Sequence, residues 1–432
     1  MADIAKDTSL LGTAPNREYL ELTFVKETAT GKGINTKIIM SASAENPDTF
    51  EVTEGRIGIK IGRNRPRKYS LLMSEWDNFY QQKQAKGWML TNTKKPDVKK
   101  IERKGFSFDG GMYDKTGDMS VDTIITKLLS YANRMVEESY TTKIEDVSDE
   151  MINLATSIFK ELSENHEKMS IPEFNNKLKI LYAAIPRRIN KLSDQLAKRT
   201  IEFTDIIARE QELFEVLLSQ IRGQQNLAQF TKMPTVLEAF NLEWREVSED
   251  EKAQIQKMLG GNARQYKNAW RIVNKKTEAA FDTFCKKENL KEGRGGISHL
   301  FHGSRSENFW SIITTGLNIN PIGVVITGKM FGNGSYFAPK AQKSIGYTSS
   351  YGSVWAKGSE SVGYLGIFKV ATGKEYHPTG SDSSLTWAKL QKVAPGCHCT
   401  WAQSADTSLR NDEVIVYQNQ QSTIEYLVEF SV

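Results

Sequence analysis

The chain has 432 residues, 39% of them hydrophobic and 25% charged, with a net charge of +5, a size that predicts two to four packed domains at roughly 100–200 residues each. No run of about 18 apolar residues occurs, and the N-terminal Met1-Ala2-Asp3-Ile4-Ala5-Lys6 lacks a signal-peptide core, which speaks against membrane insertion and secretion and for an intracellular protein. Three cysteines are too few for a disulfide framework; Cys397 and Cys399 flank His398, but Cys285 and the other histidines supply no second half of a four-ligand set, so no metal is expected.

Residues 1–16 are expected to form a disordered tail. Residues 17–105 alternate short apolar runs with turns, as in Tyr19-Leu20-Glu21-Leu22-Thr23-Phe24-Val25 and Lys37-Ile38-Ile39-Met40, and predict a mainly stranded first domain with a helix over Ser74–Lys86. Basicity concentrates here: residues 60–104 hold thirteen Lys or Arg against four Asp or Glu, a net +9 that leaves −4 for everything else. Arg63, Arg65, Arg67 and Lys68 form one cluster, with Arg56 just before it, and together they make the footprint of a phosphate-binding surface. Lys94, Lys95, Lys99, Lys100, Arg103 and Lys104 form a second, for which a solvated face or basic linker competes equally.

After a Gly- and Asp-containing linker at 106–119 the period changes. Val121, Ile124, Ile125, Leu128, Leu129, Ala132, Met135 and Val136 fall at helical spacing, with Ser120 or Asp122 available as N-cap. Met151, Leu154, Ala155, Ile158, Phe159 and Leu162 mark a second helix. A third ends at Pro186, and a last, carrying Ile206, Ile207, Leu213, Phe214, Val216, Leu217 and Ile221, closes at Arg222-Gly223. These stripes read as core packing. From Thr235 the pattern predicts mainly strands, clearest at 237–244, 269–273 and 363–370, and the Ser-, Thr- and Gly-rich stretch 377–410 predicts a loop.

Chemistry concentrates in this last region. Ile297-Ser298-His299-Leu300-Phe301-His302 predicts a strand that delivers an imidazole to a pocket wall, followed by Gly303, whose lack of a side chain allows close backbone approach, and by Ser304-Arg305. Tyr336, Phe337 and Ala338 follow Gly332 and Gly334, so a turn can present the tyrosine ring flat. Lys343 and Ser344 come next, and Glu413 opens the strand-like Glu413-Val414-Ile415-Val416-Tyr417. A carboxylate, an imidazole, an aromatic face and a bare backbone segment suit cleavage of a bond to ribose, where oxocarbenium character must be held beside negative charge. Taken alone, a His before Gly is more often a turn or a satisfied core histidine, a Gly-Xaa-Gly segment more often a hairpin than a ligand loop, and a carboxylate at a strand end usually just solvated.

Taken in order, the strings Leu300-Phe301-His302-Gly303-Ser304-Arg305, 328–338 and Lys343-Ser344-Ile345-Gly346-Tyr347 resemble the poly(ADP-ribose) polymerase family, with His302, Tyr336 and Glu413 matching its His-Tyr-Glu triad. The resemblance implies NAD+ as co-substrate: His302 bonds ribose hydroxyls, Gly303 and Ser344 hold the carboxamide, and Tyr336 and Tyr347 sandwich the nicotinamide. Ser304, Phe337 and Ala338 complete the pocket, and Glu413, oriented by Lys343, polarises the acceptor. It implies ADP-ribose transfer to protein acceptors including the enzyme itself, and chain elongation. Lys329 and Asn318 depart from the family's aromatic and arginine.

The order strand, Gly55-Arg56-Ile57-Gly58, strand, helix likewise resembles the WGR domain of the DNA-dependent members, with Glu54 in place of the signature tryptophan, and 120–223 resembles their helical regulatory domain. The implied fold is α+β and multidomain: a WGR-like mainly-β nucleic-acid-binding domain (17–105), an all-α helical regulatory bundle (120–223), and a mixed α+β, mainly antiparallel ADP-ribosyltransferase domain (235–432). Activation by DNA ends or breaks is implied, without membrane partners, in the nucleus of a eukaryote or the cytoplasm of a prokaryote or virus-infected cell. A mono-ADP-ribosyltransferase and an inactive DNA-binding scaffold are the alternative readings.

Overall fold

A computed structural model describes residues 13–28, 32–57, 65–94, 113–227, 230–293, 295–319, 330–348 and 361–431. Arg63, Lys95, Lys99, Lys100, Arg103, Lys104, Lys329 and most of the expected tail and linker lie outside these residues. Contacts divide the chain into one unit of Met1–Arg103 and Val136–Gln211 and another of Lys104–Met135, Glu212–Pro321 and Val325–Val432. Among the described residues no helix is long and apolar enough to cross a membrane.

The first unit is built on an antiparallel sheet of β1 (Tyr19–Glu27), β2 (Gly33–Ala42), β3 (Thr49–Arg56), β4 (Arg67–Leu72) and β5 (Met89–Asn92), in the order β4-β3-β2-β1-β5. Period-2 alternation sends Leu20, Leu22, Ile38, Met40, Phe50 and Val52 to one face, where α1 (Trp76–Ala85) covers them with Trp76 and Tyr80. Two further helices, α3 (Asp149–Asn165) and α4 (Ile171–Ala184), are started by Ser148 and Ser170, whose hydroxyls accept from the third backbone N–H of each helix. The Thr23 hydroxyl of β1 donates to the Ala183 carbonyl at the end of α4, and Ser148 Oγ donates to the Thr91 carbonyl of β5 at 2.6 Å, tying both helices to the sheet. Asn16, assigned to a disordered tail, is instead fixed: its side chain donates to the Thr93 carbonyl and accepts from the N–H groups of Glu18 and Tyr19.

The helical middle region also contains α2 (Met119–Ser139) and α5 (Phe203–Leu227), each contributing residues to both units. The cap of α2 is Asp118, not Ser120 or Asp122: its Oδ1 accepts from the N–H groups of Ser120 and Val121, while Asp122 is engaged by Thr116. Helix α5 does not stop at Arg222-Gly223 but continues to Leu227. One glycine costs only about 1 kcal/mol in a helix, too little by itself to end one of this length.

In the second unit five antiparallel strands, β6 (Leu242–Glu246), β7 (Tyr266–Asn274), β8 (Ile297–Gly303), β10 (Val362–Ala371) and β14 (Ser422–Ser431), lie in the order β6-β7-β14-β10-β8. A smaller sheet takes β9 (Ser335–Phe337), β11 (Glu375–Tyr376), β12 (Cys399–Ala402) and β13 (Glu413–Val416) in the order β11-β12-β13-β9. Helices α6 (Val236–Phe240), α7 (Glu249–Leu259), α8 (Lys275–Lys287), α9 (Ser306–Thr315), α10 (Ala341–Ile345) and α11 (Trp387–Val393) flank them.

Two expectations fail here. Residues 237–240 are helical, because Thr235 and Glu238 form a reciprocal capping box and Asn241 ends the turn at φ 55°, so the strand begins only at Leu242. The stretch 377–410 is not all loop: Thr386 caps α11, and β12 follows.

Candidate active site

The two sheets of the second unit meet edge to edge. Phe301 in β8 donates to the Ala338 carbonyl (2.9 Å) and Ala338 donates back (2.8 Å), a single bridge between β8 and the residue after β9. The sequence-predicted residues gather around it.

His302 follows Phe301 and pairs with Gly366 of β10. Its Nδ1 donates to the Tyr336 carbonyl at 2.8 Å. A carbonyl only accepts, so Nδ1 carries a proton in this bond. Phe337 and Phe368 stand edge-on to the imidazole at 5.8 and 5.9 Å and hold its plane.

Gly303 is required by packing. A Cβ there would lie 1.8 Å from the Ser344 carbonyl oxygen, because α10 crosses directly over the end of β8. Ser344 Oγ returns a bond to the Phe301 carbonyl at 3.2 Å. Tyr336 commits its hydroxyl to the preceding loop, donating to the Gly332 carbonyl (2.8 Å) and accepting from Phe331 N–H (3.1 Å), which leaves the ring as a wall. Burial pushes this phenol well above its ordinary pKa.

Glu413 opens β13, one residue beyond the Val414–Phe337 pair, and so stands opposite the bridge. Its carboxylate is 2.5 Å from the Lys343 ammonium, with the side chains only 11% and 13% exposed. Lys343 also donates to the Asn411 carbonyl at 3.2 Å.

His302, Gly303, Tyr336, Phe337, Ala338, Lys343, Ser344, Tyr347 and Glu413 all line one cavity of about 420 Å³, joined by Leu317, Asn318, Met330, Gly334 and Ser335. Ser304 belongs instead to an adjoining cavity of about 170 Å³, which shares His302, Leu317 and Asn318 with the first and adds Asn308, Ser311 and Ile312. Glu215, Val216, Leu218 and Arg222 of α5 complete it. Sequence reasoning passed over these helix residues because only Val216 belongs to the apolar stripe that marks α5. Helix α5 is held at this place by Glu212, whose carboxylate accepts from Asn308 Nδ2 (2.5 Å) and pairs with Arg305 (3.6 Å). Flat aromatic walls, an imidazole and one ion-paired carboxylate can hold a planar amide and set negative charge beside a cationic carbon.

Of the residues expected to meet nucleic acid, Arg56, Arg65, Arg67 and Lys68 are all exposed; Arg63 lies outside the described residues. They do not share one face. Glu54 pairs across the strands with Arg67, and Arg56 is two residues on, so these three point one way; Lys68, opposite Thr53, points the other. Glu54 is partly neutralised by Lys83 at 3.9 Å, and the Arg67 guanidinium lies 5.1 Å over the Tyr69 ring. Cys397 and Cys399 are buried, and the intervening His398 accepts from Lys374 N–H; among the described residues no group of three or more His, Cys, Asp or Glu is placed to hold a metal ion.

Residues 245–432 match the poly(ADP-ribose) polymerase catalytic domain. The chain is 30% identical over 160 residues to the poly(ADP-ribose) polymerase-like protein 100L of Invertebrate iridescent virus 6, covering 36% of this chain and 81% of that one. It is 35% identical over 147 residues to poly(ADP-ribose) polymerase 1 of Xenopus laevis, 30% of this chain and 14% of the relative. Over 86 residues it is 38% identical to the protein mono-ADP-ribosyltransferase PARP3 of Mus musculus, 20% of this chain and 15% of the relative. With the catalytic domain matched and most of the viral relative covered, the chain belongs to the poly(ADP-ribose) polymerase family and carries its NAD+-dependent ADP-ribosyltransferase domain.

Proposed function

We propose that this enzyme transfers ADP-ribose from NAD+ to protein acceptors, itself included, and elongates the product into poly(ADP-ribose), releasing nicotinamide. The observation that carries this reading is the Glu413–Lys343 pair in one cavity with His302 and Tyr336. The backbone at Gly303, bare because no Cβ fits, and the Ser344 hydroxyl suit the carboxamide, and Tyr336 and Tyr347 offer their rings to the nicotinamide. His302 Nε2 accepts from a ribose hydroxyl.

Cleavage breaks the bond between C1′ and the nicotinamide nitrogen, the electron pair leaving with the ring. Glu413, oriented by its ion pair with Lys343, stabilises the positive ribose and takes the proton of the attacking acceptor hydroxyl as the new C1′–O bond forms. A carboxylate at this position serves a sugar hydroxyl as well as a protein one, which favours elongation over transfer of a single unit.

DNA ends or breaks are the proposed activator, contacted by Arg56, Arg63, Arg65, Arg67 and Lys68 of a WGR-like domain, with 120–223 restraining the catalytic domain until they bind. The test is nicotinamide release and self-modification from labelled NAD+, with and without nicked or blunt-ended DNA, on a gel that separates single units from polymer. A DNA-stimulated ladder supports the whole reading. Single units alone move it to mono-ADP-ribosyl transfer, indifference to DNA discards the sensor, and no turnover leaves a DNA-binding scaffold.

A further inference from the structure

β10 runs between β14 and β8, and Gly366 in its middle pairs with Leu427 on one side and His302 on the other. Glycine weakens the interior of a strand and marks places where another group comes close to the backbone. Here that group is the ring of Phe368, the next residue on the same face: a Cβ at Gly366 would lie 2.5 Å from its Cε2. Phe368 therefore leans back along its own strand into the space in front of Gly366, beside the His302 imidazole. It is only 1% exposed, so the ring has no route to solvent.

Phe337 closes the third side, 5.5 Å from Phe368, and both rings meet the imidazole edge-on. The hydrogen bond from His302 Nδ1 to the Tyr336 carbonyl fixes one ring atom but does not by itself set the plane, because a carbonyl oxygen accepts over a broad range of directions. The two aromatic edges set it. We propose that Phe368, seated over Gly366, is a positioning residue for ADP-ribosyl transfer: it sets the plane in which His302 meets the donor ribose, and glycine at 366 is what admits its ring. The ribose contact rests on the NAD+ reading above; the seat of the imidazole does not. Phe368 acts through His302 and does not belong to the described lining of either cavity.

The test uses the full chain carrying Phe368→Leu, which keeps most of the buried volume, or Gly366→Ala, which crowds the ring. The chain has five histidines, so NMR spectra of isotope-labelled histidine resolve His302, identified by the signal lost in His302→Gln. Both variants are expected to shift the His302 Nδ1 signal and to speed exchange of its proton as the bond to Tyr336 loosens. Losing one well-aligned hydrogen bond weakens binding about three- to tenfold, so kcat/KM for NAD+ and affinity for ADP-ribose fall by about that factor, while inhibition by nicotinamide, held at Gly303 and Ser344, stays within about twofold. The double variant is expected to be no worse than the poorer single one, because Ala at 366 acts only through the ring. Unmoved His302 signals in both single variants overturn the proposal. So do moved signals with parental kcat/KM, additive losses in the double variant, and equal weakening of nicotinamide, which marks general damage. A parent chain that consumes no NAD+ refutes the NAD+ reading instead, and the His302 spectrum then decides the seat of the imidazole alone.

Discussion

The Glu413 carboxylate and the Lys343 ammonium lie 2.5 Å apart although they come from different elements, the first residue of β13 and the middle of α10. The pair is nearly closed to solvent, so removing one partner leaves the other buried without its counter-charge.

Replacing Glu413 by Gln keeps shape and removes charge. NAD+ affinity is expected to change little, while elongation falls by about a hundredfold or more, the scale for one preorganised electrostatic contact. Calorimetry with ADP-ribose and a labelled-NAD+ gel separate the two effects, and lost affinity without lost elongation would refute the role given to Glu413.

Gly303→Ala drives a methyl into the Ser344 carbonyl and cannot be relieved by a side-chain rotation, because the obstacle is backbone. Destabilisation of about 1–3 kcal/mol is expected, with loss of nicotinamide inhibition. Urea unfolding and inhibitor titration measure both, and a variant with parental inhibition would show that α10 tolerates displacement.

Glu210, at the core of the first unit, takes Arg187 at 3.2 Å and Arg209 at 3.1 Å, while Arg187 also lies over the Tyr140 ring. Glu210→Gln leaves the Arg187 guanidinium buried without its anion, a change that costs about 3–5 kcal/mol. A chemical-denaturation midpoint equal to the parent's would show the pair to be dispensable.

His299 is bonded by Glu425 at 2.6 Å and approached by Glu292, and the Glu425 bond raises its pKa despite partial burial. A raised folded value means tighter proton binding in the folded state. The stabilisation is thus complete below the unfolded value of about 6.5 and disappears as pH rises through the folded one. His299→Gln should lower the melting temperature more at about pH 5.5 than at about pH 8.5; an equal shift at both would assign the residue a packing role only.

Glu54 shares its strand face with Arg56 and Arg67, where it opposes an approaching phosphate. Glu54→Gln is expected to tighten binding to blunt-ended DNA severalfold at low salt, and Arg56→Ala with Arg67→Ala to loosen it and flatten the salt dependence. Fluorescence anisotropy across a salt series reads both. No response to either change would move the DNA surface elsewhere.

Much of the site was legible in the sequence, because its residues sit in three short strings whose spacing is set by strands. The β-branched run behind Glu413 and the apolar run before His302 each predict a strand, and β13 and β8 follow them. What escaped was non-local or decided by a single local contest. The alternation at 237–244 suggests a strand, yet a capping box at Thr235 and Glu238 wins four residues for a helix. Gly223 looks like a stop, yet α5 runs on past it. That Glu215 and Arg222 meet the site at all depends on where Glu212 anchors α5, a contact across more than ninety residues that no periodicity encodes.

The bridge between Phe301 and Ala338 has a further consequence for solubility. β8 and β9 are each the last strand of their sheet, and such borders recruit foreign chains when left open. Here the two borders close each other with one pair of backbone bonds, and the cavity fills the seam beside it. Substitutions along that seam are screened twice, once for chemistry and once for whether they expose two adhesive edges, so the residues around His302 and Tyr336 have less freedom to vary than turnover alone would require.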